Sequence, residues 1–111
     1  MAVIIKNIIP AKQIEATQTT QYTAVNCKTI IDKFTVTNTS GSNAVFSVNL
    51  IVSAGTAGNA NLIVKTRSVA PNETYTCPEL VGQTLEPSGF ISALAGTASA
   101  LTVSASGREV S

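Results

Sequence analysis

Catalysis in this sequence would have to come from few side chains. The chain carries six carboxylates, Glu15, Asp32, Glu73, Glu79, Glu86 and Glu109, and seven lysines and arginines. It has two cysteines, no histidine and no tryptophan. Without histidine the commonest general base is missing. A glycosidase-type carboxylate pair could still meet in space, but the six are scattered and most fall in turn-like sequence. Cys27 and Cys77, distant in sequence and without histidine, do not make a zinc site. No glycine-rich loop joins a strand to a helix, so phosphate binding has no support. Tyr22, Phe34, Phe46, Tyr75 and Phe90 are too few aromatics for a sugar-stacking or single-strand nucleic-acid surface. These absences predict a protein that is not an enzyme and that holds no cofactor or metal.

What remains is adhesion. The chain opens MAVIIKNIIP, with Val3, Ile4, Ile5, Ile8 and Ile9 interrupted by Lys6 and closed by Pro10. Apolar residues stand on both parities of this run. A strand in a half-solvated sheet is apolar on one side only. Either the run is buried between two sheets, or one face meets the core and the other a partner. Residues 1–10 therefore read as a first strand or as a docking arm that pairs with a neighbour or fills an apolar groove. Pro10 is expected to stop the ladder. A second candidate contact is Lys65 with Arg67, expected to share the outward face of one strand. They read as charges protecting an edge, or as a basic contact to acidic groups on a neighbour.

The elements that must position these residues read almost entirely as strands. NAVFSVNLIVS alternates with period two, Ala44, Phe46, Val48, Leu50 and Val52 facing one way. TIIDKFTVTN places Ile30, Phe34 and Val36 on one face, and Asp32 on that parity suggests a bulge or a strand-entry acceptor. NTSGSN between them, with Gly41 available for positive φ, predicts a hairpin. Leu62 and Val64 are expected inward. ETYTC, GFISALAG and SALTVSASG add further strands. No stretch sustains a helical period. Short strands with regular turn signals imply an antiparallel β-sandwich or barrel, here a single domain over residues 11–111.

Composition bounds the partners. The 111 residues are 44% hydrophobic and 12% charged, with net charge +1. That argues against nucleic-acid binding and against disorder. The polarity comes from Ser, Thr and Asn, which desolvate more cheaply than charged groups. The opening apolar run is too short to span a membrane and lacks the features of a secretory leader. The chain is therefore expected to be made in a cytoplasm, with both cysteines reduced.

The run from TIIDKFTVTNTSGSNAVFSVNLI, through ANLIVKTRSVAPNETYTCPELVGQTLEPSGFISALAG, to ASALTVSASGREVS resembles the capsid decoration, or cement, proteins of epsilon15-like short-tailed bacteriophages. The resemblance covers roughly residues 29–111 and rests on texture and length. It implies a jelly-roll-like fold on the outer capsid surface of a virion assembled in the host cytoplasm. It also implies that homodimers at two-fold positions staple neighbouring major capsid proteins. A β module of the phage tail, neck or fibre is the alternative. A free carbohydrate-binding module is a third reading, disfavoured by the scarce aromatics.

Overall fold

The computed structural model describes residues 2–111. Its strands are β1 (Val3–Gln13), β2 (Thr19–Thr23), β3 (Lys28–Asn38), β4 (Ala44–Ile51), β5 (Leu62–Val69), β6 (Thr74–Tyr75), β7 (Thr84–Leu85), β8 (Phe90–Ala95) and β9 (Leu101–Val110). One 3-10 turn lies at Asn59–Asn61. One sheet runs β1-β9-β3-β6, with β7 also on β3, and the other runs β2-β8-β4-β5. β6 and β7 pair with successive stretches of β3 and act as one broken strand. The antiparallel pairs then nest: β1 with β9, β2 with β8, β3 with β6 and β7, β4 with β5. A long hairpin rolled into two sheets in this way is a jelly roll. The chain is an all-β antiparallel sandwich.

This topology corrects the expected hairpin around NTSGSN. β3 and β4 do not pair; they lie in opposite sheets. The link between them is an arch, and it is shaped by Asn38 rather than by a left-handed Gly41. Asn38 is fully buried. Its amide donates to the carbonyls of Ser42 and Val69, both at 2.8 Å. Its Oδ1 accepts from the Ser40 amide at 2.8 Å and the Ser40 hydroxyl at 2.7 Å. One side chain thus satisfies the polar groups of a turn that runs between the sheets. Nothing in a local turn signal distinguishes this arch from a hairpin.

The core lies between the sheets. Phe34, Phe46, Ile9, Ile14, Ile31, Leu80, Ile91 and Leu101 are fully buried, and each contributes roughly 1.5–3 kcal/mol of transfer free energy. Bulges decide which residues reach it. In β3, Ile31 opposes Gly107 and Lys33 opposes Ser106, so Asp32 is an extra residue. The parity switches there. Ile31 is buried and Ile30 sits on the outer face, contrary to the expected placing of Ile30 with Phe34. β9 passes so close that a Cβ on Gly107 would lie 2.2 Å from the Ile30 carbonyl oxygen; only glycine fits.

β4 keeps its expected parity as far as Leu50. Val52 lies past the strand and is exposed. A second bulge, opposite Val48 and Asn49, displaces β5. Leu62 consequently pairs with Asn49 on the outer face, and Ile63 packs against the core in its place.

Candidate interaction surface

The six carboxylates are engaged in structural contacts. Four carboxylates form ion pairs: Lys6–Glu109 at 3.3 Å, Lys12–Glu15 at 2.7 Å, Lys28–Glu86 at 3.6 Å and Arg108–Asp32 at 2.9 Å. Glu73 accepts from the Ala70 amide at 3.0 Å, and Glu79 accepts from the Tyr75 hydroxyl at 2.6 Å. Among the described residues, no three carboxylate or thiol groups converge as a metal site would require. Cys27 and Cys77 are buried and are not joined in a disulfide. Burial pushes the Cys77 thiol up to about 12, which makes it a poor nucleophile.

The opening segment is the edge strand of its sheet, and it runs through Pro10 to Gln13. The expectation that Pro10 ends the ladder is therefore corrected. Ile9 opposes Ala105 and Lys12 opposes Val103, so Pro10 sits in a bulge of an edge strand, where no N–H is needed. An earlier bulge lies between Lys6, opposite Gly107, and Ile9, opposite Ala105. With its nitrogen turned inward, the Asn7 amide donates to the carbonyls of Ala105 at 2.9 Å and Ile9 at 3.2 Å.

These bulges explain the apolar residues on both parities. The first lets two successive residues, Ile8 and Ile9, enter the core at 4% and 1% exposure. N-terminal to it, Val3, Ile4 and Ile5 are 56%, 54% and 86% exposed. The five aliphatic candidates thus divide into two core anchors and three surface residues.

The exposed half has a defined hydrogen-bonding pattern. The Ala2 amide donates to the Ser111 carbonyl at 2.8 Å and the Ser111 amide to the Ala2 carbonyl at 2.9 Å. Antiparallel pairs alternate between bonded and non-bonded. It follows that Ile4 and Lys6 bond inward to β9, while Val3 and Ile5 aim their N–H and C=O groups at the open edge. Residues opposite one another share a face. Val3 and Ile5 therefore continue into Val110 and Ile30 on the outer surface, with Arg108 between them. The result is a free strand edge flanked by an aliphatic strip.

Behind the edge, Lys6, Glu109, Tyr22 and Thr29 tie four strands together. Tyr22 donates to Glu109, and its hydroxyl lies 2.7 Å from that of Thr29. Desolvation, then the Glu109 carboxylate, pushes the Tyr22 hydroxyl far above its ordinary value. The Tyr22 hydrogen bond, helped by Lys6, holds Glu109 below the usual carboxylate range.

Lys65 and Arg67 do not share a face. Val48 opposes Val64 and Phe46 opposes Arg67, so Lys65 and Thr66 bracket a bulge. Thr66 takes φ 44°, a strained value for a β-branched residue. Lys65 lines a shallow groove of about 240 Å³ on the outer face, with Gln18, Ser47, Asn49 and Leu94. Arg67 turns to the seam between the sheets and lies 4.1 Å over the Tyr75 ring. Tyr75 in turn packs against Phe46 at 6.3 Å between ring centroids. Sequence alternation missed this because it carries no sign of the bulge.

No protein-family model matches the chain. No curated protein matches it either. Among solved structures, a chain in the structure of infectious bursal disease virus, Gx strain, is similar. Its TM-score is 0.50 at 17% identity, covering 97% of this chain. This chain spans 32% of the length of that one. At that identity the likeness speaks to the fold alone.

Proposed function

We propose that this protein is a structural virion protein that binds the outer surface of a phage capsid. There it staples neighbouring major capsid proteins and stabilises the head. It works by adhesion rather than catalysis. Its partners are the major capsid protein and a second copy of itself, with no nucleic acid or membrane involved. The observation that carries this reading is the β1 edge: free backbone groups at Val3 and Ile5 beside exposed aliphatic side chains. Soluble proteins ordinarily blunt such edges, because they template pairing with other chains. An open edge suits strand addition to a partner. The similarity to a chain of a virus structure and the resemblance to phage decoration proteins agree with a place on a particle.

Labelling of intact particles tests the proposal directly. Antibody against this chain should mark the head surface. Label confined to the tail would replace the head role with the tail module, and unlabelled particles would end the virion reading. Heads that lack the protein should also disassemble at lower temperature than decorated heads.

A further inference from the structure

We propose that the groove beside Lys65 binds a small carboxylate that also carries hydroxyls, such as an acidic sugar. The groove lies on the β2-β8-β4-β5 sheet, the one that does not contain β1. The inference is independent of the docking role.

The groove is preformed. A second depression of about 230 Å³ adjoins it and shares Ser47, Thr66 and Leu94. One wall is the loop at 57–59, which Asn49 and Asn61 fix to the sheet. Asn49 is 3% exposed although it stands on the outer face. Its amide donates to the Gly58 carbonyl at 3.2 Å and to Asn61 Oδ1 at 2.7 Å. Its Oδ1 accepts from Gln18 at 3.2 Å. Asn61 in turn donates to the Thr56 carbonyl at 2.9 Å. Walls held in this way need little ordering when a ligand arrives.

The β5 bulge sets the charge. It sends Arg67 to Tyr75 and leaves Lys65 in the groove, the kind of re-aiming that bulges perform. The strained Thr66 is held there by its amide, which donates to Ser47 Oγ at 2.8 Å. Such strain clusters at ligand clamps.

The free groups define the ligand. Lys65 is the one charged residue lining either depression, and it takes part in none of the four ion pairs. All six carboxylates are engaged elsewhere, so its complement has to come from another molecule. One ammonium matches a monovalent carboxylate better than a phosphate dianion. The Ser47 hydroxyl accepts from Thr66 and keeps its own proton to donate. Gln18 spends its nitrogen on Asn49 and Ser92, which leaves Oε1 as an acceptor. A bare carboxylate has no proton to give it; a hydroxyl does. Leu62 and Leu94 supply an aliphatic floor, so no aromatic platform is needed.

NMR titration of the free protein tests the site, with glucuronate, glucose, acetate and inorganic phosphate as probes. Glucuronate should shift the amides of Ser47, Asn49, Lys65 and Leu94 saturably, with Kd of about 1 mM. Acetate, glucose and phosphate should each bind about tenfold more weakly or worse, the loss of one charged hydrogen bond. Lys65→Met keeps the aliphatic stem and should weaken glucuronate by about tenfold, while Lys65→Arg should retain it. Lys33→Met, an exposed lysine outside the groove, is the control and should change nothing. No saturable shift with glucuronate would overturn the site. Acetate or phosphate binding as tightly as glucuronate would overturn the ligand class. Equal effects of Lys65→Met and Lys33→Met would overturn the role of Lys65.

Discussion

β5 and the first half of β1, both at sheet edges, are built to opposite rules. β5 closes one sheet with Lys65, Thr66, Arg67 and Ser68 exposed in a row and two irregularities in its register. Charges and bulges of this kind discourage a second chain from pairing. β1 closes the other sheet with Val3, Ile4 and Ile5 exposed. The far side of that sheet is broken into β6 and β7, each two residues long, too short to template anything. The protein evidently can protect an edge, and along the first half of β1 it does not. That selective openness supports a role in assembly better than the aliphatic content of the segment does.

The sharpest break between the two halves of β1 should appear in stability. Ile9→Ala removes a side chain that is 1% exposed and should cost about 2–5 kcal/mol in denaturant unfolding. Ile5→Ala, at 86% exposure, should stay within about 0.5 kcal/mol. Similar losses at both positions would contradict the division at the bulge. For the same reason a truncation meant to probe docking has to stop at Lys6, because removing Ile8 and Ile9 would damage the core.

Much of the fold could be read from the residues. Alternation in Ala44–Leu50 and Leu101–Ala105, with turn residues between strands, was enough for an all-β sandwich. What stayed hidden was long-range or depended on register. Whether NTSGSN joins partners or opposite sheets depends on pairing β3 with β9, more than sixty residues away, and the buried Asn38 amide gives no local sign of it. The bulges at Asp32, Asn7–Ile8 and Lys65–Thr66 each shift which residues face inward. Asp32 on an apolar parity was the one such signal visible in the sequence. The other two lie among residues that suit either face, so alternation misplaced Arg67 and left the two halves of β1 undivided.

A charge placed on the open edge should convert it to the protected kind. Ile5→Lys puts an ammonium beside the free backbone groups without disturbing the core. The monomer should melt within a few degrees of wild type, while head binding falls at least tenfold. Unchanged binding would mean that docking uses another surface. The same substitution at Ser68 on β5 serves as control and should leave binding intact.

Acid should loosen the clasp behind β1. Glu109, Asp32 and Glu79 are held below the usual carboxylate range by Tyr22, Arg108 and Tyr75, respectively. Gln21 and then Lys12 bring Glu15 down to about 2. Each folded-state value is depressed, so below the ordinary carboxylate range the unfolded chain binds more protons than the folded one. The contribution is complete above about pH 5 and is lost as pH falls toward about 2. Tm should be flat from pH 7 to 5 and decline below 4.5. Glu109→Gln should flatten part of that decline, and a wild-type Tm unchanged from pH 5 to 3 would refute the assignment. Tyr22 acts in the opposite direction. Its value is raised, so its contribution is lost as pH climbs above 10.

The smallest effect separates Lys65 from Arg67, which look equivalent in sequence. Arg67 lies over Tyr75, which packs on Phe46 and covers the seam between the sheets. An exposed cation–π contact contributes about 0.5–1 kcal/mol, and the arginine stem shields the ring from water. Lys65 has no such partner and lines an open groove. Arg67→Ala should therefore lower stability by about 0.5–1 kcal/mol, and Lys65→Ala by close to nothing. Arg67→Lys should recover only part of the loss, because a planar guanidinium stacks on the ring face better than an ammonium does. Matching losses for the two alanine variants would show that the bulge at Thr66 does not separate their roles. A difference in unfolding free energy, with head binding unaffected by either variant, would assign Arg67 to holding the sandwich closed and leave β1 as the edge that meets other chains.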